Sequence, residues 1–261
     1  MTVFVTKKIY NILNKKYIIF ILKFIKRCFI MFDPSKFTVP KAKPLPICLL
    51  LDISYSMSGT KIDSLNQAVE KMIKSFTAEE KMEIEILVSV ITFGAGVNLE
   101  IPFTKASDIV WNNLSVDGAT PMGTALKMAK AMIEDKETTP SRAYRPTIIL
   151  VSDGEPNDEW EYPLDDFINN GRSSKCDRMA MAIGSDANTN VLERFTQGSS
   201  HELFHAEDAD KLHEFFNYVT MSVTMRTKSQ NPNQIPKASE IKLDKQKSVE
   251  VSSKNEDDGY W

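Results

Sequence analysis

Two apolar stretches of the sequence each end in an aspartate, and alternating serines follow the first of them. Asp52 ends the first stretch, and Ser54 and Ser56 complete a D-x-S-x-S pattern. Asp153 follows the second stretch, within a Ser-Asp-Gly sequence. Carboxylate and hydroxyl oxygens are hard ligands of the kind that Mg²⁺ prefers, with Mn²⁺ and Ca²⁺ as alternatives. The two stretches therefore predict a site for a divalent cation.

The segments around these residues alternate between apolar strands and amphipathic helices. Continuous apolar runs predict buried strands, and apolar side chains at helical spacing predict helices. The predicted strands are 47–51, 84–93, 97–103, 147–151, 178–183 and 202–205, and the predicted helices are 61–76, one opening at Pro121, 164–170, 191–195 and 210–224. This alternation predicts an α/β fold with a doubly wound, mostly parallel sheet and helices on both faces. The Gly-Ala-Gly turn at 94–96 predicts that strand 97–103 pairs back as one antiparallel edge strand.

In an open parallel sheet, ligands bind at the carboxyl ends of the strands, where the following loops diverge. Asp52 and Asp153 both stand at such ends, and the loop at 117–124 offers Thr120 just before the second predicted helix. Ser, Thr and Asp are also common helix caps and turn residues, which is the alternative interpretation. The buried strand before D-x-S-x-S and the matching strand before Asp-Gly favour the metal site.

With these residues in place, the sequence resembles the von Willebrand factor A (VWA) domain family over about residues 44–226, including its metal-ion-dependent adhesion site. The family combines D-x-S-x-S with a Thr from a second loop and an Asp from a third. The resemblance implies direct metal contacts from Ser54, Ser56 and Thr120, and contacts largely through water from Asp52 and Asp153. It also implies a Rossmann-like fold and a non-enzymatic interaction module. A carboxylate from a partner protein would complete the octahedral coordination of Mg²⁺.

Two stretches are similar to a bacterial subgroup of this family, the TerY-like proteins of tellurium-resistance and stress operons. They are Ser-Asp-Gly-Glu-Pro-Asn-Asp at 152–158 and Pro-Met-Gly-Thr-Ala-Leu at 121–126. The similarity implies a cytoplasmic protein in a stress or metal-resistance complex, alongside a kinase and a phosphatase. One residue departs from the family, since Tyr55 stands between the serines where Gly is usual. Either that position needs a positive φ, which would strain Tyr by about 1–2 kcal/mol, or Tyr55 points outward and contributes to a binding surface.

A second motif, His201-Glu202-x-x-His205, matches the H-E-x-x-H signature of zinc proteases. That chemistry needs a helix, where residues four apart lie about 6 Å along the axis on one face. On a strand the same residues would be about 13 Å apart and could not share a zinc ion. The flanking sequence favours a strand, so a zinc protease is the less favoured alternative.

The net charge of −3 is unevenly distributed along the chain. Residues 1–32 contain six Lys, one Arg and no acid, so they carry +7 and the remaining residues carry −10. An acidic domain is not expected to bind nucleic acid, because neutralising phosphates needs a basic face. The sequence also lacks a G-x-S-x-G nucleophile elbow and a P-loop. The acids within 158–166 border the predicted metal loop and are expected to form a solvated face.

The two ends of the chain differ from its middle. Residues 17–32 are apolar, but three basic residues interrupt them, whereas a membrane span needs about 20 apolar residues. Three interpretations of residues 1–32 stay open: a misassigned start, a basic helix on a membrane surface, and an export signal. The polar composition of residues 227–261 predicts a disordered tail. The predicted organisation is a segment and linker at 1–43, a domain at 44–226 and a tail at 227–261.

The number and spacing of the cysteines indicate whether the protein occupies a reducing or an oxidising compartment. Cys28, Cys48 and Cys176 are odd in number and widely spaced, and no C-x-x-C pair is present. Two of them stand in or beside apolar runs, which predicts small buried thiols in a reducing compartment. A cytoplasmic location agrees with this pattern. The alternative, an exported or membrane-anchored adhesin, requires residues 1–32 to act as an export or anchor segment.

Overall fold

The computed structural model describes residues 42–79, 84–184, 187, 189–236 and 239–241. In that part of the chain the strands are β1 Lys43–Asp52, β2 Ile84–Phe93, β3 Val97–Lys105, β4 Thr147–Ser152, β5 Asp177–Ile183 and β6 Phe204–Ala206. The α-helices are α1 Thr60–Glu79, α2 Met122–Glu134, α3 Glu161–Asn169, α4 Thr189–Thr196 and α5 Ala209–Lys228. Short 3₁₀ helices are formed by Tyr55–Met57, Ala106–Asp108 and Ser173–Lys175.

The strands form one sheet in the order β3-β2-β1-β4-β5-β6. Neighbouring strands are parallel except for β3, which pairs antiparallel with β2 through the turn that joins Phe93 to Val97. The predicted doubly wound, mostly parallel sheet with one antiparallel edge strand is therefore confirmed. The central position of β1 places Asp52 in the middle of the carboxyl edge of the sheet.

The continuous apolar run of β1 arises because both faces of the sheet are covered. Successive side chains of a strand point to opposite faces. Leu49 and Leu51 pack with α1 and α5, whereas Cys48 and Leu50 pack with α2, α3 and α4. The hydrophobic core thus consists of two layers, and the loops at the carboxyl edge stand on a buried support.

The sequence predicted a disordered tail from residue 227, but helix α5 continues to Lys228. The residues that follow this helix form specific contacts with the domain. The guanidinium of Arg226 donates from Nε to the Pro232 carbonyl oxygen at 2.8 Å. Arg145 N donates to Asn233 Oδ1 at 2.8 Å. The polar composition misled the prediction because backbone and amide oxygens hold this stretch, and Ile241 beyond it packs in the hydrophobic core. The predictions for residues 1–41 and 242–261 lie outside the described residues.

The described thiols and helices bear on two of the predictions. Cys48 and Cys176 are free and buried, as predicted, and burial raises the pKa of each thiol to about 12. Thiols with such a pKa remain protonated and unreactive at neutral pH. None of the helices in the described ranges has the length and apolar character that crossing a bilayer requires.

Candidate metal centre

Asp52 is the innermost residue of the candidate site. It is 0% exposed, although it ends a strand at the sheet edge. Its Oδ1 accepts a hydrogen bond from Ser54 N at 2.8 Å, and its Oδ2 accepts one from Ser152 Oγ at 2.5 Å. Burial raises the pKa of Asp52 above its ordinary value, and the hydrogen bonds from Ser152 and Ser54 oppose that rise. A buried carboxylate of this kind is one that a nearby cation would stabilise.

The two serines connect the β1 loop to the β4 loop. Ser54 Oγ lies 2.8 Å from Ser56 Oγ, and Ser56 Oγ donates to Asp153 Oδ1 at 2.6 Å. Ser152, the last residue of β4, contacts Asp52 through its hydroxyl, so the two loops meet twice. The structure therefore brings together the four predicted residues of these loops.

Thr120 reaches the same place from the loop before α2. A Cβ built on Gly154 would lie 3.3 Å from Thr120 Oγ1, 3.6 Å from Ser56 Oγ and 3.9 Å from Asp52 Oδ2. Oxygens of the β1 loop and of the Thr120 loop thus surround one small space beside Gly154 of the third loop, and this space is open because residue 154 has no side chain. A set of hydroxyl and carboxylate oxygens suits a hard cation such as Mg²⁺. No cluster of three or more His, Cys, Asp or Glu capable of holding a metal occurs in the described residues, so hydroxyls are essential to this candidate site.

Backbone contacts hold the loop of Thr120 against the β1 loop. Asp117 N donates to the Ile53 carbonyl oxygen at 2.6 Å, and Tyr55 N donates to the Gly118 carbonyl oxygen at 3.1 Å. Gly118 has a φ of 71°, and a Cβ there would lie 2.2 Å from Ala95 N. Gly is therefore required at 118 for the loop to pack this closely.

Two residues of the β4–α3 loop, Asn157 and Asp158, hold Thr120 and α2 in position. Thr120 N donates to Asn157 Oδ1 at 3.2 Å, and Asn157 N donates to the Thr120 carbonyl oxygen at 3.1 Å. The carboxylate of Asp158 accepts from Gly123 N at 2.9 Å and from Thr124 N at 2.8 Å. Asp158 thus caps the N-terminus of α2, where negative charge is favourable. The expectation of a solvated face was wrong for Asp158, and no local sequence signal identifies a cap that comes from another loop.

Lys61, which sequence analysis did not single out, is the cation nearest to the candidate ligands. It lies in the first turn of α1, and its Nζ forms an ion pair with Asp153 Oδ2. The side chain of Asp153 is 0% exposed and that of Lys61 is 29% exposed. One of the two carboxylates therefore has an internal counter-charge, which lowers the negative charge available to a bound metal.

Tyr55 occupies the position at which the family usually has Gly. No non-glycine residue in the described part of the chain has a positive φ, so Tyr55 is not strained in that way. It begins the 3₁₀ helix Tyr55–Met57, and its side chain is 66% exposed. Of the two alternatives, the outward-pointing Tyr55 agrees with the structure.

The H-E-x-x-H motif does not have the geometry of a zinc protease. His201 lies outside the helices, and His205 lies on β6. His201 Nδ1 is 2.8 Å from Tyr218 Oη, and His201 Nε2 is 3.1 Å from Asp177 Oδ1. The ring of His201 is thus buried between two polar partners, and the zinc-protease interpretation of this motif was wrong.

Sequence comparison shows similarity to a family of known architecture. The sequence model of the von Willebrand factor type A domain matches residues 47–218. Human inter-alpha-trypsin inhibitor heavy chain H6 is 24% identical over 176 residues, which cover 62% of this chain and 13% of that protein. The chain therefore matches only a small part of the length of that relative.

Three solved structures share the fold at low sequence identity. A von Willebrand factor type A protein from Catenulispora acidiphila has a TM-score of 0.55 and 20% identity, covering 70% of this chain and 43% of that chain. Proximal thread matrix protein 1 from the mussel byssus, with a zinc-occupied MIDAS motif, has a TM-score of 0.51 and 17% identity, covering 70% and 48%. The pilus adhesin SpaC from Lactobacillus rhamnosus GG has a TM-score of 0.56 and 16% identity, covering 69% and 30%. At these identities the similarity shows the fold alone.

Proposed function

The chain belongs to the von Willebrand factor type A domain family, and from this premise we propose that it captures a partner protein through a divalent cation. Domains of this family are generally non-enzymatic interaction modules, and they often bind a divalent metal at the adhesion site. The proposed ligands are Ser54, Ser56, Thr120, Asp52 and Asp153, with Mg²⁺ as the cation. The zinc-occupied site of the mussel relative supports a divalent metal in this fold.

The observation that carries the proposal is the space beside Gly154, which oxygens of Asp52, Ser56 and Thr120 surround. Hydroxyl ligands are neutral, and Asp153 is already paired with Lys61, so these residues donate little negative charge. A bound cation would therefore keep its affinity for a further oxygen ligand. A carboxylate of a partner protein is the natural ligand, because Mg²⁺ favours octahedral coordination by oxygen.

The first test is titration of Mg²⁺ into the full chain by calorimetry, comparing the wild type with Ser54→Ala. Replacing a residue that only supports a metal ligand usually weakens metal binding by about tenfold or more. Removing the hydroxyl of a ligand itself should therefore weaken Mg²⁺ binding by at least about tenfold. Ser107→Ala removes an exposed hydroxyl from the 3₁₀ helix after β3 and should leave the affinity unchanged. If wild type and Ser54→Ala bind Mg²⁺ equally, the assignment of this site is wrong.

Lys61→Met tests the internal counter-charge. Without the ammonium group, the full charge of Asp153 acts on a bound cation, so we expect Mg²⁺ affinity to rise by roughly tenfold. Lys61 is partly exposed, and solvent screening keeps the increase from being larger. Lys61→Arg keeps the positive charge and serves as the matched control. Calorimetry on the three proteins checks this result, and an affinity of Lys61→Met at or below that of the wild type contradicts it.

The finer assignment rests on the sequences of the loops. The TerY-like stretches at 152–158 and 121–126 support a cytoplasmic partner complex of the tellurium-resistance or stress type, with a kinase and a phosphatase as the partners. An exported or membrane-anchored adhesin depends on residues 1–32, which lie outside the described residues. Both assignments stay predictions. Locating the natural start codon by N-terminal sequencing of the native protein separates them.

A further inference from the structure

A polar cleft lies at the amino ends of β4 and β5, at the opposite end of these strands from the candidate metal centre. Asp177, the first residue of β5, lines this cleft, and so does Arg145, which precedes β4 by two residues. Strand β4 has six residues, so its two ends lie about 17 Å apart. The cleft has a volume of about 230 Å³, which is smaller than the pockets that hold drug-sized ligands and suits a small one.

Two exposed cations, Arg145 and Lys175, line the cleft. Neither side chain forms a hydrogen bond or an ion pair with any residue that the structure describes. The specific contacts of Arg145 are made by its backbone, because its N donates to Asn233 Oδ1 and its carbonyl oxygen accepts from the guanidinium of Arg226. The fold thus fixes the backbone of Arg145 and leaves its guanidinium without an internal partner in this part of the chain.

Asp177 is the one acid among the residues that line the cleft, and its charge is balanced from inside the domain. Its side chain is 1% exposed, and its Oδ1 lies 3.1 Å from His201 Nε2. Burial lowers the pKa of Arg178 and of Arg226, and the negative charge of Asp177 opposes this decrease in both guanidinium groups. Asp177 therefore compensates buried positive charge, so the two exposed cations give the cleft an excess of positive charge.

The turn after α4 adds neutral hydrogen-bond donors to the cleft. Gly198 has a φ of 74°, and a Cβ built on it would meet nothing within 4 Å. The backbone N–H groups of Gly198 and Ser200 and the Ser200 hydroxyl form no hydrogen bond among the described residues. Turns with unpaired N–H groups are anion-binding features. The carbonyl oxygens at the C-terminus of α4 would repel an anion, but Arg178 donates to two of them, on Phe195 and Gln197, at 2.8 Å.

From this arrangement we infer that the cleft binds a phosphate dianion, either free or as the monoester of a small molecule. Two uncompensated cations match the charge of about −1.5 to −2 that a phosphate monoester carries at neutral pH, whereas a carboxylate carries one negative charge. The guanidinium of Arg145 can donate two parallel hydrogen bonds to phosphate oxygens, and Lys175 adds a point charge. The Ser200 hydroxyl and the N–H groups of the turn donate to the remaining oxygens.

NMR of the ¹⁵N-labelled full chain tests both binding and its location. Inorganic phosphate and methyl phosphate are titrated separately, at constant ionic strength, in buffer that a chelating resin has freed of divalent cations. The amide signals of Gly198 and Ser200 should shift saturably. Tighter binding of methyl phosphate supports a small phosphorylated molecule as the ligand, and binding of inorganic phosphate that is as tight or tighter supports the free ion. If neither probe shifts these amide signals saturably, the inference is wrong.

Acetate is the comparator for charge in the same titration. Because it is a monoanion with two oxygens, it should bind at least about fivefold more weakly than phosphate, which corresponds to the loss of one exposed ion pair. Acetate that binds as tightly as phosphate would overturn the choice of a dianion.

Substitutions of the two exposed cations test the binding residues. Lys175→Met should weaken phosphate binding about fivefold, the upper end for an exposed ion pair. Arg145→Met should weaken it about tenfold, because two charge-assisted hydrogen bonds are lost, and Arg145→Lys, which keeps only the charge, should restore part of the affinity. The backbone contacts of Arg145 do not depend on its side chain, so these variants should keep the fold.

Lys127→Met is the matched control for these substitutions. Lys127 is exposed on α2, and its side chain forms no hydrogen bond or ion pair within the described ranges. The control should bind phosphate with the affinity of the wild type. Equal phosphate affinity in Arg145→Met, Lys175→Met and Lys127→Met would show that the cleft is not the binding site.

Discussion

Replacing Asp52 by Asn is expected to abolish measurable Mg²⁺ binding while leaving the metal-free protein at least as stable as the wild type. Asn has nearly the same shape as Asp, so its Oδ1 can still accept from Ser54 N, and its amide group can donate to Ser152 Oγ. The negative charge is lost, and with it the strongest attraction that the inner side of the site offers to a cation. We expect the Mg²⁺ affinity to fall by about a hundredfold, which is the upper end of the loss seen when a residue supporting a metal is replaced. Binding this weak is no longer measurable by calorimetry.

The stability half of this prediction follows from the buried carboxylate. Burial raises the pKa of Asp52 in the folded protein above its unfolded value near 3.8. For an acid with a raised pKa, the folded state binds the proton more tightly, so stability is full below the unfolded pKa and decreases as pH rises through the folded pKa. The asparagine side chain of the variant has no charge at any pH. The free energy of unfolding of Asp52→Asn, relative to the wild type in chelator, should therefore increase as pH rises from about 4 through that range.

Denaturant unfolding between pH 4 and pH 8, with and without Mg²⁺, measures both halves. Asp117→Asn is the matched control, since Asp117 is exposed in the loop of Thr120 and its side chain forms no hydrogen bond or ion pair among the described residues. It should leave Mg²⁺ affinity and the pH dependence of stability unchanged. Saturable Mg²⁺ binding by Asp52→Asn at the wild-type affinity would contradict the site.

The second large effect is expected at the amino end of β4, where Arg226 contacts Thr147 and Arg145. Arg226→Met should lower the free energy of unfolding by about 3–5 kcal/mol. Arg226 is 0% exposed. Its guanidinium donates to the Pro232 carbonyl oxygen at 2.8 Å, to Thr147 Oγ1 at 2.7 Å and to the Arg145 carbonyl oxygen at 2.5 Å. Methionine fills a similar volume but leaves these buried acceptors without donors, which is the costly outcome for polar groups away from water.

Chemical denaturation measures this effect, with Lys228→Met as the control. Lys228 lies on the same helix, but its side chain is more than half exposed and pairs with Glu79 at the surface, so its loss should cost about 0.5 kcal/mol or less. Burial lowers the pKa of Arg226 to about 10, which still leaves it charged at neutral pH. Mg²⁺ affinity of the folded Arg226→Met protein should equal that of the wild type. A loss of stability no larger than that of Lys228→Met would show that this network contributes little.

Most of the fold could be predicted because its signals are local. The apolar run that became β1 is buried on both faces, and the turn after Phe93 specifies the antiparallel partner of β2. The candidate ligands could be predicted because the carboxyl ends of parallel strands meet at one edge. The boundary of α5 could not, because Arg226 is polar in sequence and buried in the fold.

The interactions that sequence analysis missed all join segments that are distant in the chain. Lys61 is an ordinary residue in the first turn of a helix, and only the packing of α1 against the β4 loop brings its ammonium to Asp153. Asp158 belongs to an acidic stretch, and only the position of α2 makes it a cap. Local patterns identify the groups that could bind a metal, whereas the tertiary structure determines how their charges are balanced.

The path of the backbone near Arg145 has a mechanical consequence. The Pro44 carbonyl oxygen accepts from Tyr144 N at 2.8 Å, and Asn233 Oδ1 accepts from Arg145 N at 2.8 Å, so β1 and the segment after α5 both contact one loop. That loop precedes β4 at its amino end, whereas the metal loops follow the carboxyl ends of the strands. A force applied at Pro44 or at Asn233 therefore acts at the amino ends of the strands and leaves the binding loops at the opposite edge facing outward.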